Sequence, residues 1–143
     1  MTNNLLKAKG ILQNEGLTCA LVSDNDEVKC TQRGVLPLLN LLDSKKDFSA
    51  FSCADKVVGA AAAYLYVLLN VKEVFAFVIS DSAVCVLENA GIKCFYNEKV
   101  NSIINRDKTG VCPMESAVKN VKSAEEASAL IRNKLKILMQ GKA

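Results

Sequence analysis

Apolar residues recur at helical spacing from the start of the chain, at Leu5, Leu6, Ala8, Ile11 and Leu12, and Gly16 ends the pattern. A short apolar run over Leu17–Ser23 and an alternating one over Glu27–Gln32 flank Asp24-Asn25-Asp26, which predicts two strands joined as a hairpin. Val35-Leu36-Pro37-Leu38-Leu39 then predicts a helix with proline in its first turn. Phe48–Cys53 reads as a strand, and Asp55-Lys56 as the start of a helix that is apolar all round, through Ala60, Ala61, Ala62, Ala63, Leu65 and Leu68. A helix without a polar face is buried on most sides.

Val71–Ile79 is apolar apart from Lys72 and Glu73 at its start and is rich in β-branched and aromatic residues, the pattern of a strand buried on both sheet faces. Ser80 caps a helix over Ala83–Asn89 that Gly91 closes, and Ile92–Tyr96 is a further strand. Asn97–Ile104 reads as a short helix or turn. Thr109 or Cys112 caps a helix from Pro113, and Ser123 caps a last one from Ala124 to Met139. Strands alternating with helices predict an α/β fold in a single domain, residues 1–143: a three-layer α/β/α sandwich around a mixed, mostly parallel sheet of about five strands. The opening hairpin makes one edge of that sheet antiparallel.

Composition narrows the function. The 143 residues carry a net charge of +3, half are hydrophobic, and there is no histidine. That charge is too weak and too dispersed to argue for nucleic acid. The basic residues near the carboxyl terminus fit a solvated helix face whose dipole favours them. The longest uncharged run, Val57–Val71, is shorter than a membrane-spanning helix requires. Six scattered cysteines, no CxxC pair and no secretory signal predict reduced thiols in a cytoplasmic protein. Without histidine, the commonest general base and metal ligand is missing, so no metal site and no cofactor is expected.

Candidate chemistry gathers at strand-to-helix junctions, where α/β sheets bind ligands and helix starts offer unpaired N–H groups. Arg33-Gly34 either presents a guanidinium to an anion at a turn where glycine admits close backbone approach, or is an ordinary turn before a helix. Cys53, Asp55 and Lys56 form the next junction, as ligand contacts with Asp55 an acid/base candidate; a plain N-cap at Asp55 competes with that reading. Asn105-Arg106, in the polar loop before Pro113, can hold an anion, unless Arg106 simply pairs with Asp107. Cys112 is a candidate nucleophile because a helix N-terminus stabilises a thiolate. Glu115, three residues later, is either a second acid/base group or the capping-box partner of Cys112.

Several blocks of this chain resemble a family of uncharacterised prokaryotic proteins, the domain of unknown function 1893. They are Arg33-Gly34-Val35 with Pro37-Leu38, Asp55-Lys56-Val57-Val58-Gly59, Lys72-Glu73-Val74, Asn89-Ala90-Gly91-Ile92, Ile104-Asn105-Arg106 and Gly110-Val111-Cys112-Pro113-Met114-Glu115. The resemblance spans roughly residues 5–120 and leaves the last helix outside. It implies a cytidine-deaminase-like fold. Zinc deaminases of that fold carry His-x-Glu or Cys-x-Glu at one helix start and Pro-Cys-x-x-Cys at the next. Neither motif stands at Arg33-Gly34-Val35 or at Cys53-Ala54-Asp55-Lys56, so deaminase activity is not implied.

The leading expectation is a protein that binds a small anionic ligand, a nucleotide or phosphorylated metabolite, with or without turnover. A thiol enzyme or redox sensor centred on Cys112 is the first alternative. A non-catalytic assembly subunit is the second, with Ala124, Ala127, Leu130, Ile131, Leu135 and Leu138 closing either the chain's own core or a homodimer. Nucleic acid and membrane partners are not expected.

Overall fold

A computed structural model describes residues 1–104, 110 and 112–140 of the chain. The elements follow in the expected order: α1 (Asn3–Asn14), β1 (Cys19–Val22), β2 (Glu27–Cys30), α2 (Leu36–Asp43), β3 (Ser52–Val58), α3 (Ala60–Leu69), β4 (Glu73–Ser80), α4 (Asp81–Asn89), β5 (Lys93–Val100), α5 (Pro113–Ala117) and α6 (Ala124–Gln140). The five strands form one sheet in the order β2-β1-β3-β4-β5. β1 runs antiparallel to both neighbours, while β3, β4 and β5 are mutually parallel. The sheet is mixed, with β1 alone reversed.

One face is covered by α1, whose Leu5, Ala8 and Leu12 pack on Ala20, Val22, Ala54 and Phe75. Each leucine withdrawn from water this way contributes about 1.5–3 kcal/mol. Thr2 caps the helix by accepting the Leu5 N–H, and Lys9 lies 4.5 Å over the Phe75 ring. The larger core lies on the opposite face, under α2, α3 and α4, with Tyr66 and Leu65 of α3 fully enclosed. α6 packs on α3 through Ala127 and Ile131, both without exposed surface, so α3 is sandwiched between sheet and helix. That placement is why its sequence has no polar face. Arg132 of α6 donates to both Asp43 carboxylate oxygens, 2.8 and 3.3 Å away, and ties the last helix to α2.

Three boundaries differ from the pattern-based expectation. The third strand is Ser52–Val58 rather than Phe48–Cys53. Phe48 and Phe51 instead close a turn, Phe51 N–H to Phe48 O at 3.0 Å, and their rings pack into the core with centroids 5.1 Å apart. The all-round apolar helix starts at Ala60, not at Asp55-Lys56. Val57 and Val58 suit a strand as well as a buried helix, so apolarity alone could not mark the change at Gly59. The last strand continues from the expected Ile92–Tyr96 through Asn97, Glu98 and Lys99 to Val100. β4 provides eight residues of parallel edge, out to Ser80 opposite Val100, and backbone pairing carries the polar residues along.

Candidate functional site

Asp55 is the centre of the polar arrangement at the middle of the sheet. Along β3, Cys53 and Asp55 face the α3 side, and Ala54 faces α1. Tyr66, reaching down from α3, donates its hydroxyl to the Asp55 carboxylate at 2.7 Å, and the Val57 N–H donates at 3.3 Å. Among the described residues no cation pairs with it. Burial pushes the Asp55 carboxyl up to about 6, against the opposing pull of those hydrogen bonds. Tyr66 is enclosed completely, and burial together with the neighbouring carboxylate pushes its phenol well up.

The expected clamp of adjacent side chains at a helix start is therefore not formed. Asp55 and Lys56 lie within β3, where successive side chains leave opposite faces of the sheet. Lys56 is exposed on the face opposite Asp55. Cys53 does not reach a surface site either; it has no exposed area, and burial pushes its thiol up. Its chemistry is that of a small core residue.

Arg33 and Gly34 occupy the turn after β2, with Gly34 at φ 73°, a conformation that favours glycine. Thr18 joins this turn to β3: its hydroxyl donates to Gln32 O at 2.7 Å, and its carbonyl accepts the Lys56 N–H at 3.3 Å. Arg33 is exposed and enters no ion pair among the described residues. It follows the end of β2 at Cys30, which is level with Asp55 across the sheet because both pair with Cys19, while β3 itself runs on to Val58. At the end of β4, Ser80 caps α4 by accepting the Ala83 N–H at 3.2 Å, as the sequence predicts.

Glu115 serves a different helix from the one expected. Its carboxylate accepts the N–H groups of Ala60 and Ala61, at 2.7 and 3.0 Å, and so caps α3 rather than returning to the backbone of Cys112. Gly59, the N-cap of α3, has no side chain with which to do this, and a Cβ there would fall on the Glu115 carboxylate. The capping-box expectation fails because α3 offers two free donors and a negative charge is favoured at a helix N-terminus. Cys112 is the N-cap of α5, half-buried, with its N–H bonded to Ile103 O at 2.9 Å. Asn105 and Arg106 lie outside the described residues.

Sequence reasoning missed a buried carboxylate, Glu73. It is 2% exposed and accepts hydrogen bonds from Ser52 Oγ at 2.6 Å and from the Thr2 hydroxyl. It begins β4, at the amino-terminal edge of the sheet, and joins α1 to β3. A charged residue heading an otherwise apolar strand was the available signal. Among the described residues no three histidine, cysteine, aspartate or glutamate side chains converge as metal ligands. No helix among them is long and apolar enough to cross a membrane.

Comparison with known families then places the chain. The family described as Domain of unknown function (DUF1893) matches residues 7–135. The protein belongs to the DUF1893 family. The match extends beyond the resembling blocks into α6, so the last helix is part of the family domain rather than an addition to it. The crystal structure of a DUF1893 family protein from Thermotoga maritima is similar over 94% of this chain and 92% of that one, with a TM-score of 0.86 and 25% identity. No curated protein matches this DUF1893 chain.

Proposed function

We propose that this DUF1893 protein binds a small anionic ligand, of the nucleotide or phosphorylated-metabolite class, at the carboxyl-terminal edge of β2 and β3. Asp55 is the proton-exchanging group of that site. The observation that carries the reading is the Asp55 carboxyl itself, set beside Tyr66 with no cation paired to it among the described residues and pushed up to about 6 by burial. A carboxyl held in that range serves as a general acid or base near neutral pH. Arg33 supplies positive charge on the same edge, from a turn that Thr18 fastens to β3. The cytidine-deaminase-like resemblance enters here as a shared location only. α2 begins after Val35 and α3 after Gly59, and neither start carries a metal-ligating side chain, so no zinc step is part of the proposal.

A thermal-shift screen of nucleotides and phosphorylated metabolites tests it, run on wild type, Arg33→Ala and Asp55→Asn. A ligand at a hundred times its dissociation constant stabilises by about 2.7 kcal/mol. The expected hit loses affinity in Arg33→Ala, and its pH dependence near 6 disappears in Asp55→Asn. A hit indifferent to both substitutions moves the ligand elsewhere.

A second reading, an assembly subunit, draws on one observation. A shallow groove between α2 and α6 is lined by Leu36, Leu39, Leu135 and Met139, and Leu130 and Ile137 are also exposed on α6. No binding in a broad screen, with a concentration-dependent mass in sedimentation, would favour it. The Cys112 reading draws less support, because α5 is five residues long and supplies little dipole.

A further inference from the structure

Three of the six cysteines lie on one patch of the sheet, on the face under α2 and α3. Cys19 of β1 stands directly opposite Cys30 of β2 in the antiparallel register. Directly opposed residues in such a pair have Cα atoms about 4.5 or 5.5 Å apart. Both values fall inside the range of about 4.4–6.8 Å that a disulfide spans. The two side chains belong to the same core cluster, so their Cβ atoms leave the same face. Each thiol shifts the titration of the other, as groups side by side on one face do.

We propose that Cys19 and Cys30 are a reversible oxidation site, closed to a disulfide by peroxide, that staples the edge strand β2 to β1. This inference does not depend on the ligand reading. The Cys30 thiolate attacks one peroxide oxygen, the O–O bond breaks, and a sulfenic acid forms with release of hydroxide, which takes up the thiol proton as water. The Cys19 thiolate then attacks the Cys30 sulfur and expels the second hydroxide, which leaves as water with the Cys19 proton. Two thiols lose two electrons and one peroxide gains them. Cys30 is the first to react because it is the more exposed of the pair and lies on the edge strand.

Register singles out this pair. Cys53 is opposite Leu21, and so stands diagonal to Cys19 rather than facing it. Diagonal neighbours are about 7–8 Å apart, too far for a bond in place. Cys85, Cys94 and Cys112 lie on α4, on β5 and before α5, away from this strand pair. Access comes from the edge. β2 is four residues long with no strand beyond it among the described residues, and short edge elements open locally at little cost.

The test uses the whole reduced protein and one equivalent of hydrogen peroxide. Trypsin cleaves after Lys9, Lys29 and Arg33, so Cys19 and Cys30 fall on separate peptides, residues 10–29 and 30–33. The expected result is an intact mass lower by two hydrogens, a dominant cross-link between those two peptides, and reversal by a dithiol. Amide exchange in β2 should slow at least tenfold in the oxidised form. Cys30→Ser should abolish the mass loss while far-ultraviolet circular dichroism stays native; should that variant not fold, the wild-type peptide map still decides. Oxidation that lands on Cys85, Cys94 or Cys112 while the two peptides stay unlinked overturns the proposal, as does a link that leaves β2 exchange unchanged.

Discussion

The Glu115 carboxylate stands where a side chain on Gly59 would begin, and it caps α3 through the N–H groups of Ala60 and Ala61. Two residues 56 positions apart are thus fitted to each other, and the short α5 is held to the body of the fold by its only acidic residue.

Glu115→Ala should destabilise the protein by about 1–2 kcal/mol, the usual cost of a lost N-cap. Gly59→Ala should cost at least as much, because the carboxylate must move away from both donors. The two changes break the same contact, so their effects should not add. In a Glu115→Ala background, Gly59→Ala should cost less than about 0.5 kcal/mol, since its backbone at φ −98° suits alanine. Urea unfolding of the four proteins measures this; additive losses would mean that the contact is not shared.

The Asp55 carboxyl gives a stability term with a definite sign. Its folded value is raised from an ordinary 3.8 to about 6, so the folded state holds a proton that the unfolded chain has released across that interval. The stabilising contribution is therefore fully present below about pH 4 and is lost as pH rises through 6. At roughly 1.4 kcal/mol per unit, the amount at stake is on the order of 2–3 kcal/mol. Asp55→Asn keeps an acceptor for the Tyr66 hydroxyl and removes the charge. It should match wild type at pH 4 and exceed it at pH 8, and denaturant midpoints across that range would show the two curves diverging. Parallel curves would mean that the carboxyl titrates normally.

Tyr66→Phe should move that titration upward. The hydroxyl stabilises the Asp55 carboxylate, so its removal leaves burial less opposed. The expected cost in stability is about 1–3 kcal/mol near neutral pH, where the charged carboxylate loses its partner, and smaller at pH 4. A carbon-detected carboxyl titration of both proteins reads the shift directly; an unchanged or lowered value would assign the Tyr66 contact no electrostatic role.

Element order and sheet composition were legible because amphipathic and apolar periods, caps and turn residues all agreed, as at Ser80, Gly91 and Ser123. The site was less legible. Asp55-Lys56 resembles a helix start in isolation, and only pairing with β1 and β4, at Cys19 and Ala76, commits it to a strand. The role of Glu115 was equally hidden, since its partner lies in another element and local spacing pointed to Cys112. What the sequence did carry was the identity of the groups. The turn at Arg33-Gly34, the carboxyl of Asp55 and the cap of α5 at Cys112 all stand in the structure, redistributed by tertiary pairing.

The last helix should prove integral to the domain. Ile131 has no exposed surface and packs with Ala127 against the core, whereas Leu130, one residue earlier, is 38% exposed. Ile131→Ala should cost about 2–5 kcal/mol, the range for a large-to-small change in a packed core. Leu130→Ala should stay within about 0.5 kcal/mol, as surface changes usually do. Asp43→Asn, which weakens the exposed ion pair with Arg132, should cost less than about 1 kcal/mol and lose that effect in high salt. Apolar burial, on this account, holds α6 in place and the ion pair sets only its register against α2. Thermal melts at low and high salt separate the two: a large salt-sensitive loss in Asp43→Asn, or a negligible one in Ile131→Ala, would reverse that order.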